Sequence, residues 1–265
     1  MKVGILTASL PMDTKTALRK ARELGAHGVQ LWIADNDLDP RNLTRSGREE
    51  LIAYMTSLSL ERAALCGDVG GFTDPPTVDE RITRTKQMFE LCVDLRTPIL
   101  TTHIGVVPDD PAGRGYSDLL GAVREVAEYA ANRGCCLAIE TGPESPESLA
   151  EFLSRVDSGG ARVNYDPANL VMNGFNPLDG LYTLRDYIVH THAKDGVARA
   201  GVDDAEVREV PVGEGDVDFP RYLHILRDEL GYSGYLTIER ECGSNPVADL
   251  AAAVAYLKRQ PGVAS

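Results

Sequence analysis

Short apolar runs rich in β-branched residues alternate along this chain with longer stretches of helical period, and Gly, Pro, Asp or Asn separates the two. The runs at 3–8, 28–33, 61–66, 98–103, 135–140, 162–166, 187–192 and 235–239 predict strands. The stretches at 13–25, 44–58, 78–95, 116–133, 146–156, 178–185, 219–230 and 246–259 predict helices. The first helix opens on an Asp or Thr cap and ends at Gly25. The stretch 116–133 sets Leu119, Leu120, Val123, Val126 and Ala127 on one face and stops at Gly134. Eight strands alternating with eight helices predict parallel βαβ units, and their natural closure is a (β/α)8 barrel forming a single domain over 1–265. The alternative is an open doubly wound sheet. Its dinucleotide-binding form lacks support, because no G-x-G-x-x-G follows the first strand. One loop is long, 193–218, and loops of that length in a compact domain are usually functional.

In a barrel of this kind, chemistry sits at the C-terminal ends of the strands. His103 ends the fourth predicted strand, Glu140 the fifth, Asp166 the sixth, His192 the seventh and Glu239 the eighth. Taken singly, a carboxylate after a strand is more often a helix N-cap or a solvated loop residue, and a single His more often a structural hydrogen-bonding group. Together they read differently. Three carboxylates aimed into one mouth repel and lose hydration, and a divalent cation offsets that cost. The set Glu140, Asp166, His192 and Glu239 is oxygen-rich and hard. It suits Mn²⁺ or Mg²⁺, with Co²⁺ or Zn²⁺ as alternatives. His190 shares a strand face with His192, so one is expected as a ligand and the other as a supporting or substrate group. Gln30 is expected to point into the barrel, while His27 and His224 read as structural.

Composition narrows the function. The 265 residues match the ~250 typical of such barrels. A net charge of −13 without a basic run opposes nucleic-acid binding. No apolar run approaches the ~18 residues of a membrane span. The N-terminus MKVGILTASL lacks a basic lead and a cleavage site, so it reads as a first strand and the expected location is the cytoplasm. Five cysteines without C-x-x-C spacing are expected to be reduced packing residues. The Gly-rich but acidic GEGD segment at 213–216 is a poor phosphate cradle, which favours an uncharged substrate.

The segments LAIET, NYDPANL, HTHAKD, VPVGEGDVDFP and GYLTIERE, taken in order, resemble the xylose isomerase-like barrel superfamily. Within it they are most similar to the sugar isomerase and epimerase branch that includes D-tagatose 3-epimerase and the inositol-catabolism enzymes. The resemblance runs over nearly the whole chain and is strongest in the second half. It implies one metal, usually Mn²⁺, on Glu140, Asp166, His192 and Glu239. Glu140 and Glu239 then flank the substrate carbon as catalytic bases. It also implies an arginine at the substrate, which falls on Arg208. Three residues after Asp166, where free-ketose epimerases often carry a substrate-binding His, this chain has Asn169. That departure weakens the free-ketose 3-epimerase reading and leaves the metal set intact. Endonuclease IV shares the superfamily but needs three zinc ions and further histidines. Of these His103 is present, while Asn169 and the CGD at Cys66 do not match.

These readings predict a metal-dependent isomerase or epimerase. It would move an α-proton on a small polyhydroxylated ketose or keto-cyclitol, with two carboxylates serving opposite faces of one carbon. His103, Asn169, Lys194, Arg208 and Trp32 are the expected substrate-binding residues. The rivals are a dehydratase or lyase acting on a keto-inositol or 3-keto-glycoside, and a non-catalytic sugar-binding barrel. A homodimer or homotetramer is the expected assembly.

Overall fold

The computed structural model describes residues 1–199 and 206–265. Eight parallel strands close into a barrel: β1 (Lys2–Leu6), β2 (Gly28–Trp32), β3 (Glu61–Cys66), β4 (Ile99–Thr102), β5 (Cys136–Glu140), β6 (Ala161–Tyr165), β7 (Ile188–Ala193) and β10 (Tyr235–Ile238). They pair in chain order, and β10 closes the ring between β7 and β1. The outer helices are α1 (Thr14–Glu23), α2 (Arg45–Ser57), α3 (Val78–Leu95), α4 (Arg114–Ala131), α5 (Pro146–Val156), α7 (Pro177–Leu184), α8 (Phe219–His224) and α9 (Pro246–Lys258). This is the (β/α)8 TIM barrel that the alternating pattern predicts.

Local chemistry sets the helix starts. Asp13 accepts from the Thr16 N–H at 3.0 Å to open α1, and Ser145 accepts from the Ser148 N–H at 3.1 Å ahead of Pro146 to open α5. Along the strands, alternate residues pack outward against the helices: Val3 and Ile5, Val29 and Leu31, Leu137 and Ile139 are all fully buried. The inward-facing alternates are small or polar, among them Gly4, Gln30, Thr101, Asn164, His192 and Thr237. The barrel axis is therefore polar beneath its mouth. Tyr235 closes the opposite end. Its hydroxyl donates to Glu61 Oε2 at 2.6 Å, and its ring lies so close that a Cβ at Gly28 would fall 2.8 Å from it.

Three elements depart from the predicted pattern. A six-residue helix, α6 (Pro167–Met172), comes after β6 where the pattern predicts a loop. It is too short to show a period, and its signal is the Asp166-Pro167 step, an N-cap followed by Pro at the first helical position. The long segment 193–218 holds an antiparallel pair, β8 (Asp195–Arg199) and β9 (Glu206–Val210). All five cysteines are free thiols. No described helix is long and apolar enough to cross a membrane.

Candidate metal centre

Glu140 is the last residue of β5, Asp166 and Glu239 immediately succeed β6 and β10, and His192 lies near the end of β7. All four are buried, and one ligand atom from each lies within 4.8 Å of the others. His192 Nδ1 stands at the hub, 3.2 Å from Glu239 Oε2, 3.3 Å from Asp166 Oδ2 and 3.5 Å from Glu140 Oε1. Among the described residues this is the one group of three or more His, Cys, Asp or Glu side chains arranged to hold an ion.

Each side chain is fixed from behind. Asp166 is both an N-cap and a cluster member: Oδ1 accepts from the N–H groups of Ala168 and Asn169, at 2.8 and 3.0 Å, which leaves Oδ2 for the cluster. Glu140 is clamped by two amides. Asn164 Nδ2 donates to Oε2 at 3.2 Å and Asn169 Nδ2 to Oε1 at 3.0 Å. Lys194 Nζ donates to Glu239 Oε2 and to Glu241 Oε2, each at 2.9 Å.

The charge balance tests whether a metal fits. Burial opposes a charge on His192, but Glu239, Glu140 and Asp166 outweigh it and hold the imidazole well above the ordinary histidine value. Burial likewise opposes the Lys194 ammonium, and Asp166, Glu239 and Glu140 outweigh it in the same way. Burial would raise the Glu239 carboxyl, yet His192 and Lys194 pull it well below the usual range. The pocket thus draws in a ring proton and an ammonium to balance its carboxylates. A divalent cation on three carboxylate oxygens and one imidazole meets the same demand, and the donors are those a hard ion takes.

The other candidate residues divide. His103, just past β4, has Nε2 3.7 Å from Glu140 Oε1, while Nδ1 lies 2.7 Å from Asp68 Oδ2. That bond to Asp68, opposed by burial and helped by Glu140, raises the His103 pKa to about 9. Asp68 is a site residue that the strand-end pattern misses; its one signal is an acid two residues past the end of β3. Asn169 spends its amide on Glu140 and on the Thr141 carbonyl, at 3.0 and 3.2 Å. Lys194 is at the cluster. Trp32 is half-buried at the end of β2, and its indole N–H donates to the Ala34 carbonyl at 2.9 Å. Arg208 stands on β9 in register with Val197 and is exposed. Its neighbour Glu209 reaches the β10 end by accepting from Arg240 Nη1 at 2.6 Å.

Asp195 holds the mouth loop. Its oxygens accept four backbone N–H groups, from Gly196, Gly213, Gly215 and Val217, at 2.9–3.2 Å. Gly215 is required there, because a Cβ would fall 2.1 Å from Asp195 Oδ1. The GEGD segment therefore wraps an aspartate of its own chain.

Comparison with known proteins agrees with this architecture. The xylose isomerase-like TIM barrel family matches residues 18–260. The chain belongs to that family. A curated family relative, the inosose dehydratase of Clostridium beijerinckii, is 29% identical over 139 residues, 46% of this chain and 45% of the relative, so the match spans under half of either protein. Among solved structures of the fold, a xylose isomerase domain protein from Planctomyces limnophilus is 28% identical. It superposes with a TM-score of 0.84 over 97% of this chain and 95% of its own. A D-tagatose 3-epimerase-like protein is 19% identical, with a TM-score of 0.74 and 97% of each chain covered.

Proposed function

We propose that this family member is a divalent-metal-dependent sugar isomerase or epimerase that transfers an α-proton on a small polyhydroxylated ketone, a ketose or keto-cyclitol. The observation that carries the reading is the placement of Glu140 and Glu239, whose oxygens lie 3.5 and 3.2 Å from His192 Nδ1 and come from strands three steps apart around the barrel. A divalent ion on Glu140, Asp166, His192 and Glu239, with Mn²⁺ the best match to the donor set, would polarise a carbonyl and acidify the neighbouring C–H. One glutamate removes that proton and the other returns one from the opposite side. The amide clamp orients Glu140, Lys194 orients Glu239 and offers an N–H to a substrate oxygen, and His103 lines the mouth beside Glu140.

A second reading is favoured by the Asp68–His103 pair. A carboxylate-held imidazole 3.7 Å from Glu140 can hand a proton to a departing hydroxyl. Glutamate would then take the α-proton, the C–O bond would break, and water would leave with the proton from His103. The inosose dehydratase relative is named for a loss of this kind. Proton NMR of Mn²⁺-loaded and then chelated protein, with a panel of ketoses and keto-inositols in D₂O, separates the readings. Deuterium entry with an isomeric product supports the isomerase, formation of an unsaturated ketone supports the dehydratase, and neither exchange nor product across the panel refutes both.

A further inference from the structure

A histidine can ligate a metal through Nδ1 only if that nitrogen presents a lone pair and the ring proton sits on Nε2. We propose that Gln30, anchored by Thr101, is the positioning residue that keeps the proton of His192 on Nε2 and so turns the Nδ1 lone pair toward the three carboxylates. The inference rests on the metal-site reading above and deepens it.

Gln30 lies in β2, across the barrel axis from His192 in β7, and both side chains are fully buried. Gln30 Oε1 is 3.0 Å from His192 Nε2. Which end of the amide faces the ring is settled one step further back. Gln30 Nε2 donates to Thr101 Oγ1 at 2.7 Å, and the Thr101 hydroxyl is directed at the Leu65 carbonyl at 3.4 Å. A carbonyl only accepts, so the hydroxyl proton points to Leu65 and its lone pair receives the Gln30 N–H. The amide oxygen is left facing His192, and an oxygen there requires a proton on Nε2.

One neighbour pulls the other way. Asn164 Nδ2 lies 3.2 Å from the same nitrogen. A bond from it would need a lone pair on Nε2 and would put the proton on Nδ1, among Glu140, Asp166 and Glu239. Gln30 is the nearer partner, at 3.0 Å, and Asn164 already directs one of its two N–H groups to Glu140 Oε2. Gln30 and His192 are both fully buried, so removing the amide oxygen takes the partner of a buried N–H. Outer partners of this kind typically carry ~10–100-fold in metal affinity.

The test compares wild type with Gln30→Met, which keeps the shape without an acceptor, Gln30→Glu, which keeps an acceptor, and Thr101→Val, which frees the amide to turn. Calorimetry with Mn²⁺ reads affinity, and ¹H–¹⁵N spectra of the Mg²⁺-loaded proteins read the His192 Nε2–H. Gln30→Met should bind Mn²⁺ ~10–100-fold more weakly with that resonance shifted or lost, Gln30→Glu should retain both, and Thr101→Val should fall between. Unchanged affinity and an unmoved resonance in Gln30→Met, or a proton on Nδ1 in Mg²⁺-loaded wild type, would overturn the proposal. If Gln30→Met fails to fold, Thr101→Val decides by the same two readouts. If wild type binds no divalent ion, the metal reading falls, and metal-free spectra, in which the ring carries both protons, judge Gln30 as the acceptor of the Nε2–H: a resonance that shifts in Gln30→Met supports it, and one that does not shift overturns it.

Discussion

Lys194→Met separates the electrostatic account of the mouth from one of packing alone. The ammonium is 2% exposed and lies 2.9 Å from Glu239 Oε2, 2.9 Å from Glu241 Oε2 and 3.9 Å from Asp166 Oδ2. Methionine keeps most of the stem and removes the charge. In the metal-free protein Glu239 is then buried without its nearest cation, and breaking a buried pair in this way costs about 3–5 kcal/mol. At about 2–4 °C per kcal/mol for a chain of this size, the metal-free variant should melt ~6–20 °C below wild type. Metal binding should move the other way. Like charges ~4 Å apart repel by about 4 kcal/mol at an effective dielectric constant of 20, so losing Lys194 removes a barrier of that order to an incoming cation. Mn²⁺ affinity should therefore rise by at least ~10-fold, a little over 1 kcal/mol. Saturating Mn²⁺ should close much of the gap in melting temperature while turnover stays low, because the proposed contact to a substrate oxygen is gone. Scanning calorimetry with and without Mn²⁺ reads the stability, and titration calorimetry reads the affinity. A metal-free variant as stable as wild type, or one that binds Mn²⁺ more weakly, would refute the reasoning.

Other perturbations have equally definite outcomes. Glu140→Gln and Glu239→Gln should each lower turnover by at least ~10²-fold and resist rescue by excess Mn²⁺, whereas Asp166→Asn should lose metal and regain part of its activity when Mn²⁺ is added. Full rescue of both glutamate variants would make them ligands only. Asp195→Asn should turn an amide N–H against two of the four loop N–H donors; at ~1.5–3 kcal/mol for each lost charged hydrogen bond, urea unfolding should show a loss of about 3–6 kcal/mol, and a loss under ~1 kcal/mol counts against the pinning role. Buried Asp39 gives a pH test away from the site. Burial opposes its charge, but hydrogen bonds from Arg41 and from the Asp35 N–H hold the carboxyl well below the usual range. A folded value below the unfolded one contributes stability that is present above about pH 4 and lost as pH falls further, so Asp39→Asn should be less stable at pH 7 and show a flatter acid limb than wild type.

Much of the barrel is legible in the chain because its strands are short apolar runs between helical periods, and because the cluster residues stand at the ends of those runs. Glu140, Asp166, His192 and Glu239 can be found by reading the residue at which each apolar run stops. Asp68 escapes that reading. It lies two residues beyond β3, and only a folded chain brings it 2.7 Å from His103. Asn164 also escapes, being a polar alternate inside an otherwise ordinary strand whose partner Glu140 is 24 residues away. The pair β8–β9 hides in a segment that reads as loop from its glycines and acids. Asn169 is visible in the sequence as the residue after D-P-A, yet its placement as a clamp on Glu140 is a matter of geometry that spacing does not reveal.

The central claim is that four strand-end side chains hold one divalent ion. Crystals grown or soaked with Mn²⁺, measured for anomalous scattering at the manganese edge, test it most directly. The account predicts one strong peak per chain, ~2.0–2.3 Å from an oxygen of Glu140, Asp166 and Glu239 and from Nδ1 of His192, with the Lys194 ammonium outside the coordination shell. No peak at millimolar Mn²⁺, a peak elsewhere on the molecule, or one of the four side chains turned out of the mouth would contradict it.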